Sequence, residues 1–138
     1  MQNMPKSVFD KMMETDYFSQ WLAIRLVEIS DGKCVLEMTV RKEMLNGFAI
    51  LHGGVTFAFA DSAFAFASNS HNKLSVSLTA SMTYSKPAKE GDIIVATATE
   101  LSLTNKTGTY DVVVSTKNSG ETISLFRGTV YRTSREVL

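Results

Sequence analysis

Residues 51–70 read LHGGVTFAFADSAFAFASNS. From Gly54 onward this run is almost entirely Ala and Phe. As a helix it is about 25 Å long. Its apolar residues do not keep to one stripe: Phe59, Ala63 and Phe66 cover one side, and Phe57, Ala58, Phe64 and Ala65 cover the other. A helix that is apolar all round is a buried helix. The run is too short and too interrupted for a membrane span, and Asp61, Ser62, Ser68 and Asn69 argue further against one. Asp61 carries the one charge in its middle. A lone buried carboxylate is costly unless something holds it. The rest of the chain must therefore wrap this helix, and Asp61 calls for an explanation.

The wrapping is legible on both sides of the run. Residues 5–14 read as a short helix, with Ser7 as N-cap and Val8, Met12 and Met13 on its apolar side. Phe18 and Trp21 follow and are expected to pack on the main body. Residues 22–29 read as a strand whose alternation slips near Val27, the mark of a bulge. Asp31-Gly32 is a hairpin turn signal. Residues 33–40 alternate cleanly, with Cys34, Leu36, Met38 and Val40 facing one way. Cys34 reads as a core thiol. Residues 41–52 form a loop into the helix. Strands follow at 74–84, 93–103, 109–116 and 122–132, separated by Glu90-Gly91-Asp92, by the turn at 105–108 and by Asn118-Ser119-Gly120. Neighbouring strands joined by short turns are expected to pair antiparallel. The fold class is α+β, a curved antiparallel sheet wrapped around one long central helix.

Length and composition fit one domain, residues 1–138, with a helical extension over residues 1–17. Fourteen acidic and fourteen basic residues cancel, so no nucleic-acid footprint is present and no membrane partner is expected. Residues 1–16 mix polar and apolar types and do not read as a signal peptide. With one cysteine there is no intrachain disulfide, and a cytoplasmic setting is the default. One cysteine and two histidines offer no metal site.

Three features converge where the helix begins. His52-Gly53-Gly54 opens it, exposing backbone N–H groups at the positive end of the helix dipole. Glycine lets a ligand approach that backbone closely. Asn46-Gly47 lies just upstream. Asp61 shares a side of the helix with Gly54, Phe57, Ala58, Phe64, Ala65 and Ser68. N–H groups aimed at a carbonyl oxygen make an oxyanion site, and a nearby carboxylate serves as base or nucleophile. The set suits attack on an activated acyl group. Plainer readings stand beside it. Asn-Gly is a common turn, Gly-Gly before a helix is also a hinge, and His52 alone is a common loop hydrogen-bonder. His71 reads as a surface residue. Asp61 is the hardest to explain away, because a mid-helix carboxylate caps nothing.

These residues carry a family resemblance. Asn46-x5-His52-Gly53-Gly54, then Phe59-Ala60-Asp61-Ser62-Ala63-Phe64-Ala65 and Asn69-Ser70, resemble the hotdog-fold acyl-CoA thioesterases, and most of all the phenylacetic-acid-degradation type. Residues 83–92 (TYSKPAKEGD) and Leu125-Phe126-Arg127-Gly128 resemble the same family. The likeness runs from about Phe18 to Arg132. It implies a hotdog fold, and dimers paired into tetramers with active sites at the dimer interface. It implies Asp61 as general base or nucleophile and the Gly53 N–H as the group that polarises the thioester carbonyl. It further implies Asn46 placing water or carbonyl, His52 supporting the loop, and Ser77 helping to position water. No cofactor is implied, since coenzyme A enters as part of the substrate. One departure stands out: the family often has Gly where this chain has Ala49.

Around those residues, Gly54, Phe57, Phe64 and Ser68 are candidates to line the acyl pocket. For Phe57 and Phe64, packing in a dimer core is the alternative. Lys86 and Lys89, beside Pro87, are candidates for the coenzyme A phosphates. The expected function is hydrolysis of an aryl- or medium-chain acyl-CoA to free acid and CoA. A hydratase or dehydratase on the same fold remains an alternative, because fold does not fix function and His52 and Asp61 are both available. A non-catalytic acyl-CoA-binding sensor is a third. Such a sensor is expected to carry a DNA-binding or partner domain, for which this length leaves no room.

Overall fold

The computed structural model describes residues 3–138. Two short helices come first, α1 (Met4–Met13) and α2 (Tyr17–Leu22). A hairpin follows, β1 (Arg25–Ser30) and β2 (Lys33–Thr39). A 3-10 turn at Lys42–Met44 leads into the long helix α3 (Gly53–Asn69). Four strands complete the chain: β3 (Ser75–Tyr84), β4 (Ile93–Leu103), β5 (Thr107–Thr116) and β6 (Thr122–Arg132). All six strands form one antiparallel sheet, in the order β1-β2-β4-β5-β6-β3.

The sheet buries one face against α3. Every second residue of β2 and of the first part of β4 is buried, as a strand with one wet face requires. Leu36, Met38, Ile94, Ala96, Ala98, Val112 and Val114 meet Phe59, Ala60, Ala63, Phe64 and Ala67 of the helix in one core. Complete burial of each large side chain here contributes about 1.5–3 kcal/mol. Phe64 meets Tyr110 edge-on and Phe126 at a tilt, with ring centroids 5.8 and 5.4 Å apart. Gly128 is glycine because a Cβ there would lie 2.7 Å from the Phe64 ring. Cys34 is buried in the same core, and burial pushes its thiol up to about 12. The slip near Val27 is a register shift between Leu26 and Glu28.

On its other side α3 is covered by α1, where Phe9 meets Phe66 with ring centroids 4.6 Å apart, and by α2. A third stripe of α3 has no cover: Gly54 is exposed, and Ala58, Asp61 and Ala65 are half-buried. The all-round apolar run is thus explained on two sides of three. Among the described residues no helix is long and apolar enough to cross a membrane.

Four expectations are corrected. The N-cap of α1 is Asn3, whose side chain accepts from the Lys6 N–H. Ser7 lies inside the helix instead. Residues 17–22 are helical, so β1 begins at Arg25 and not near Leu22. Asp16 caps α2, and Arg41 donates to the Trp21 and Leu22 carbonyls at its other end at 2.7 and 3.1 Å. Phe18 and Trp21 do not pack on the body. They are exposed and stack on each other at 5.8 Å, with the Arg41 guanidinium 5.0 Å from the Trp21 ring. Finally, β3 does not pair with β4, the next strand in sequence. It pairs with β6 at the far edge, and β4 returns to lie between β2 and β5.

Candidate active site

His52 is the N-cap of α3, with extended backbone and its side chain turned to the first turn. Its Nδ1 accepts from the Gly54 N–H at 2.8 Å. Its carbonyl accepts from Val55 and Thr56, and its own N–H donates to the Met44 carbonyl. Four N–H groups open every helix without an internal partner. Among the described residues, Gly53 is the one of the first turn whose N–H is left free. The Gly53 carbonyl accepts from the Tyr84 hydroxyl at 3.0 Å. Both glycines sit close to a side chain. A Cβ at Gly53 would sit 3.2 Å from the Tyr84 ring, and one at Gly54 would sit 3.0 Å from His52 Nδ1.

Gly53 lines a cavity of about 340 Å³. Asn46, Gly53, Thr56, Tyr84 and Lys86 line it. Asn46 holds its own loop: its Oδ1 accepts from the Phe48 and Ile50 N–H groups at 2.9 and 3.4 Å. Its amide Nδ2 has no partner among the described residues and is available as a second donor. Ala49 stands in the same loop with φ 60. That is the left-handed region, which costs an alanine about 1–2 kcal/mol and a glycine nothing comparable. The loop therefore keeps a glycine's conformation without the glycine. A neighbouring cavity of about 500 Å³ shares Ile50, Pro87 and Ala88 with the first and extends the trough past Lys89 to Asn118 and Ser119.

The other candidates fall into two groups. Asp61 is half-buried on the uncovered stripe of α3, about 12 Å along the helix from Gly53. Burial raises its carboxyl above the usual carboxylate range, and the negative charge of Asp16 raises it further. Phe57 is half-buried, edge-on to Phe126 at 5.3 Å. Ser77 is exposed on β3, at a bulge between Ser77 and Thr79. Phe64 and Ser68 lie in the core instead, with Ser68 donating to the Ala65 carbonyl. Lys86 is ion-paired with Glu121, whereas the Lys89 side chain has no ion pair among the described residues. One chain brings together Asn46, Gly53 and Lys86, and leaves Asp61 and Ser77 outside that cavity.

Sequence reading passed over two contacts. Tyr84 touches Gly53 from a strand thirty-one residues away, a distance no local pattern spans. Asp16 sits three residues before Ser19 and bonds to it. The Asp-x-x-Ser spacing is a capping signal, hidden because the following residues read as the approach to a strand. His71 is likewise no plain surface residue, since its Nε2 lies 2.8 Å from Glu100 Oε1.

An antiparallel sheet curved around one long helix is a hotdog fold, and the helix start beside a cavity is its candidate acyl-transfer site. The thioesterase superfamily family model matches residues 48–123, and this chain belongs to that superfamily of thioester hydrolases. It is 44% identical over 134 residues to a putative esterase of Archaeoglobus fulgidus, covering 96% of this chain and 86% of that protein. It is 36% identical over 121 residues to the acyl-coenzyme A thioesterase PaaI of Escherichia coli, covering 88% and 86% of the two. The solved structure of the E. coli PaaI protein from the phenylacetic acid degradation operon superposes with a TM-score of 0.90, over 96% of this chain and 98% of that one at 32% identity.

Proposed function

We propose that the protein hydrolyses acyl-CoA thioesters to free acid and coenzyme A, with aryl or medium-chain acyl groups as substrates. The free Gly53 N–H at the positive end of α3, open to a cavity beside Asn46, carries this reading. In hydrolysis the thioester carbonyl oxygen becomes negative, and donors fixed in advance stabilise it most. Gly53 N–H and Asn46 Nδ2 are those donors. Asp61 takes the proton of a water, the water oxygen bonds to the carbonyl carbon, and the C–S bond breaks to release the CoA thiolate. The raised proton affinity of Asp61 suits a base working nearer neutral pH. Lys89, and Lys86 when it releases Glu121, meet the phosphates of coenzyme A along the trough.

The site is completed by a second copy of the chain. Asp61 lies too far along α3 to reach a carbonyl held at Gly53 of the same chain, since a base works within about 3 Å. β3 offers the means of pairing. It is ten residues long, bonds to β6 on one flank only, and is largely exposed. Such an edge is a template for another strand. A two-fold pair through β3 sets the uncovered stripes of two α3 helices together and delivers Asp61 and Ser77 of one chain to Gly53 of the other. Pairing of such dimers into a tetramer is part of the same proposal.

His52 supports hydrolysis over hydration, because its Nδ1 is committed to the helix cap. Incubation with phenylacetyl-, hydroxyphenylacetyl- and medium-chain acyl-CoAs and a thiol reagent tests the reading. Free thiol is expected from at least one substrate. Water added to an unsaturated acyl chain without thiol release would make the protein a hydratase, and tight binding without chemistry would make it a sensor.

A further inference from the structure

We propose that Tyr84 is a positioning residue for the reaction: from the end of β3 it holds the Gly53–Gly54 peptide and so fixes the direction of the Gly53 N–H. The inference rests on the reading of Gly53 as a donor to the thioester carbonyl. Tyr84 is the last residue of β3 and is paired with Ser124 of β6. The two residues after it are fastened to the same strand, since the Ser85 and Lys86 N–H groups donate to the Ile123 carbonyl at 2.9 and 3.2 Å. From that fixed end the Tyr84 hydroxyl donates to the Gly53 carbonyl at 3.0 Å. Its ring edge lies against Gly53, where a Cβ would come 3.2 Å from it.

A glycine in this place needs a hold. With no Cβ it populates a wide range of backbone angles, and the first helical residue has no helical partner for its N–H. That N–H lies in the His52–Gly53 peptide plane, and rotation at the Gly53 Cα couples this plane to the next. The His52–Gly53 plane is held at its carbonyl by the Val55 and Thr56 N–H groups at 2.9 and 3.2 Å. The Gly53–Gly54 plane is held at its N–H by His52 Nδ1 at 2.8 Å and at its carbonyl by Tyr84. His52, Val55 and Thr56 belong to the helix start and move with it. Tyr84 comes from the sheet and refers the donor to a fixed frame. Burial does not force this bond: Tyr84 is 53% exposed, so solvent is an alternative partner for its hydroxyl. Donors fixed in advance stabilise an oxyanion most, because they need no reorganisation during the reaction. Loosening Gly53 must therefore show in the chemical step more than in substrate binding.

The test is Tyr84→Phe, which keeps the ring and removes the hydroxyl. Backbone motion is read first, without substrate. His52-Gly53 is the one His-Gly pair in the sequence. Protein made with carbon-13 carbonyl histidine and nitrogen-15 glycine therefore gives a single carbonyl-linked amide signal in NMR, that of Gly53. Its order parameter should be that of rigid backbone in the wild type, about 0.85, and fall toward about 0.6 in Tyr84→Phe. Thiol release from acyl-CoA is read next. There kcat should fall roughly tenfold, less than the ~10²–10³ that loss of a whole oxyanion donor costs, with KM and the denaturant midpoint nearly unchanged. Replacing Tyr84 by para-aminophenylalanine keeps the ring and returns a donor, and should restore both the order parameter and kcat. A Tyr84→Phe protein whose Gly53 amide is as rigid as in the wild type overturns the proposal. So does one that loses stability while kcat stays the same, since Tyr84 would then serve the fold alone. An inactive wild-type protein would defeat the functional reading instead, and the Gly53 signal would still decide whether Tyr84 holds that donor.

Discussion

Asp61 carries its charge on the half-buried stripe of α3, and that placement has a sign that can be measured. Its proton affinity is raised, by burial first and by Asp16 second. In the folded protein the ionised form is disfavoured relative to the unfolded chain, so the cost in stability sets in as pH rises through the unfolded value and is complete above the folded one. Catalysis by a base needs that same ionised form. Asp61→Asn should therefore lower kcat by ~10²-fold or more, while its thermal midpoint at pH 7 stays equal to or rises above that of the wild type. A well-folded Asp61→Asn enzyme with near-normal turnover would remove the mechanism. Ala49 supplies a second test at this scale. Its left-handed backbone predicts that Ala49→Gly stabilises the protein by about 1 kcal/mol, read from the denaturant midpoint. A loss of stability would mean that alanine is strain-free there.

Elements show how far the sequence could be read. β2 was legible from its period of two, and the central helix from its all-round apolar content. α2 was not. Six residues are too few to show a helical period, and an isolated helix of that length is marginal in water. It exists because Asp16 and Arg41 satisfy its two ends, and Arg41 is nineteen residues from the Leu22 carbonyl it holds. The partner of β3 was equally hidden. Pairing with β6 rather than β4 is a matter of chain path, and a local pattern does not record it. Among the candidate residues, Gly53 and Asp61 stood out in the sequence as residue types out of place, whereas the contact of Tyr84 with Gly53 became visible only in the structure.

The C-terminal end of α3 gives an element-scale prediction. Burial pushes Glu100 upward, but hydrogen bonds from Tyr110 and His71 and the charges of His71 and Arg132 outweigh it, so its carboxyl ends below the ordinary value. A carboxylate lowered by folding stabilises the protein above its unfolded value, and that contribution is lost as pH falls through the folded one. Glu100→Gln should thus flatten the acid side of the stability–pH curve and leave catalysis alone. An unchanged acid slope would mean that Glu100 is not coupled to folding. The connection between β3 and β4 gives another. Changing Lys86 and Lys89 together to Ala should raise KM for acyl-CoA, weaken its salt dependence and hardly alter kcat. An unaltered KM would make both lysines a solvated surface.

In the proposed reaction, one chain alone does not complete the site. Its carbonyl-binding end and its carboxylate lie on the same helix but about 12 Å apart. The uncovered stripe of α3 and the free edge of β3 are where the proposal places a second copy. Light scattering should find a dimer or a dimer of dimers at micromolar concentration, and a stable monomer would contradict the shared site. The most direct test mixes two inactive variants, Asp61→Asn and Asn46→Ala, under conditions where subunits exchange. In a mixed dimer one site collects both defects and the other collects neither. With half of the dimers mixed, about a quarter of wild-type thiol release should return, given a two-fold symmetric pair. If exchange is established by mass spectrometry and activity stays flat, each site lies within a single chain and the shared-site account is wrong.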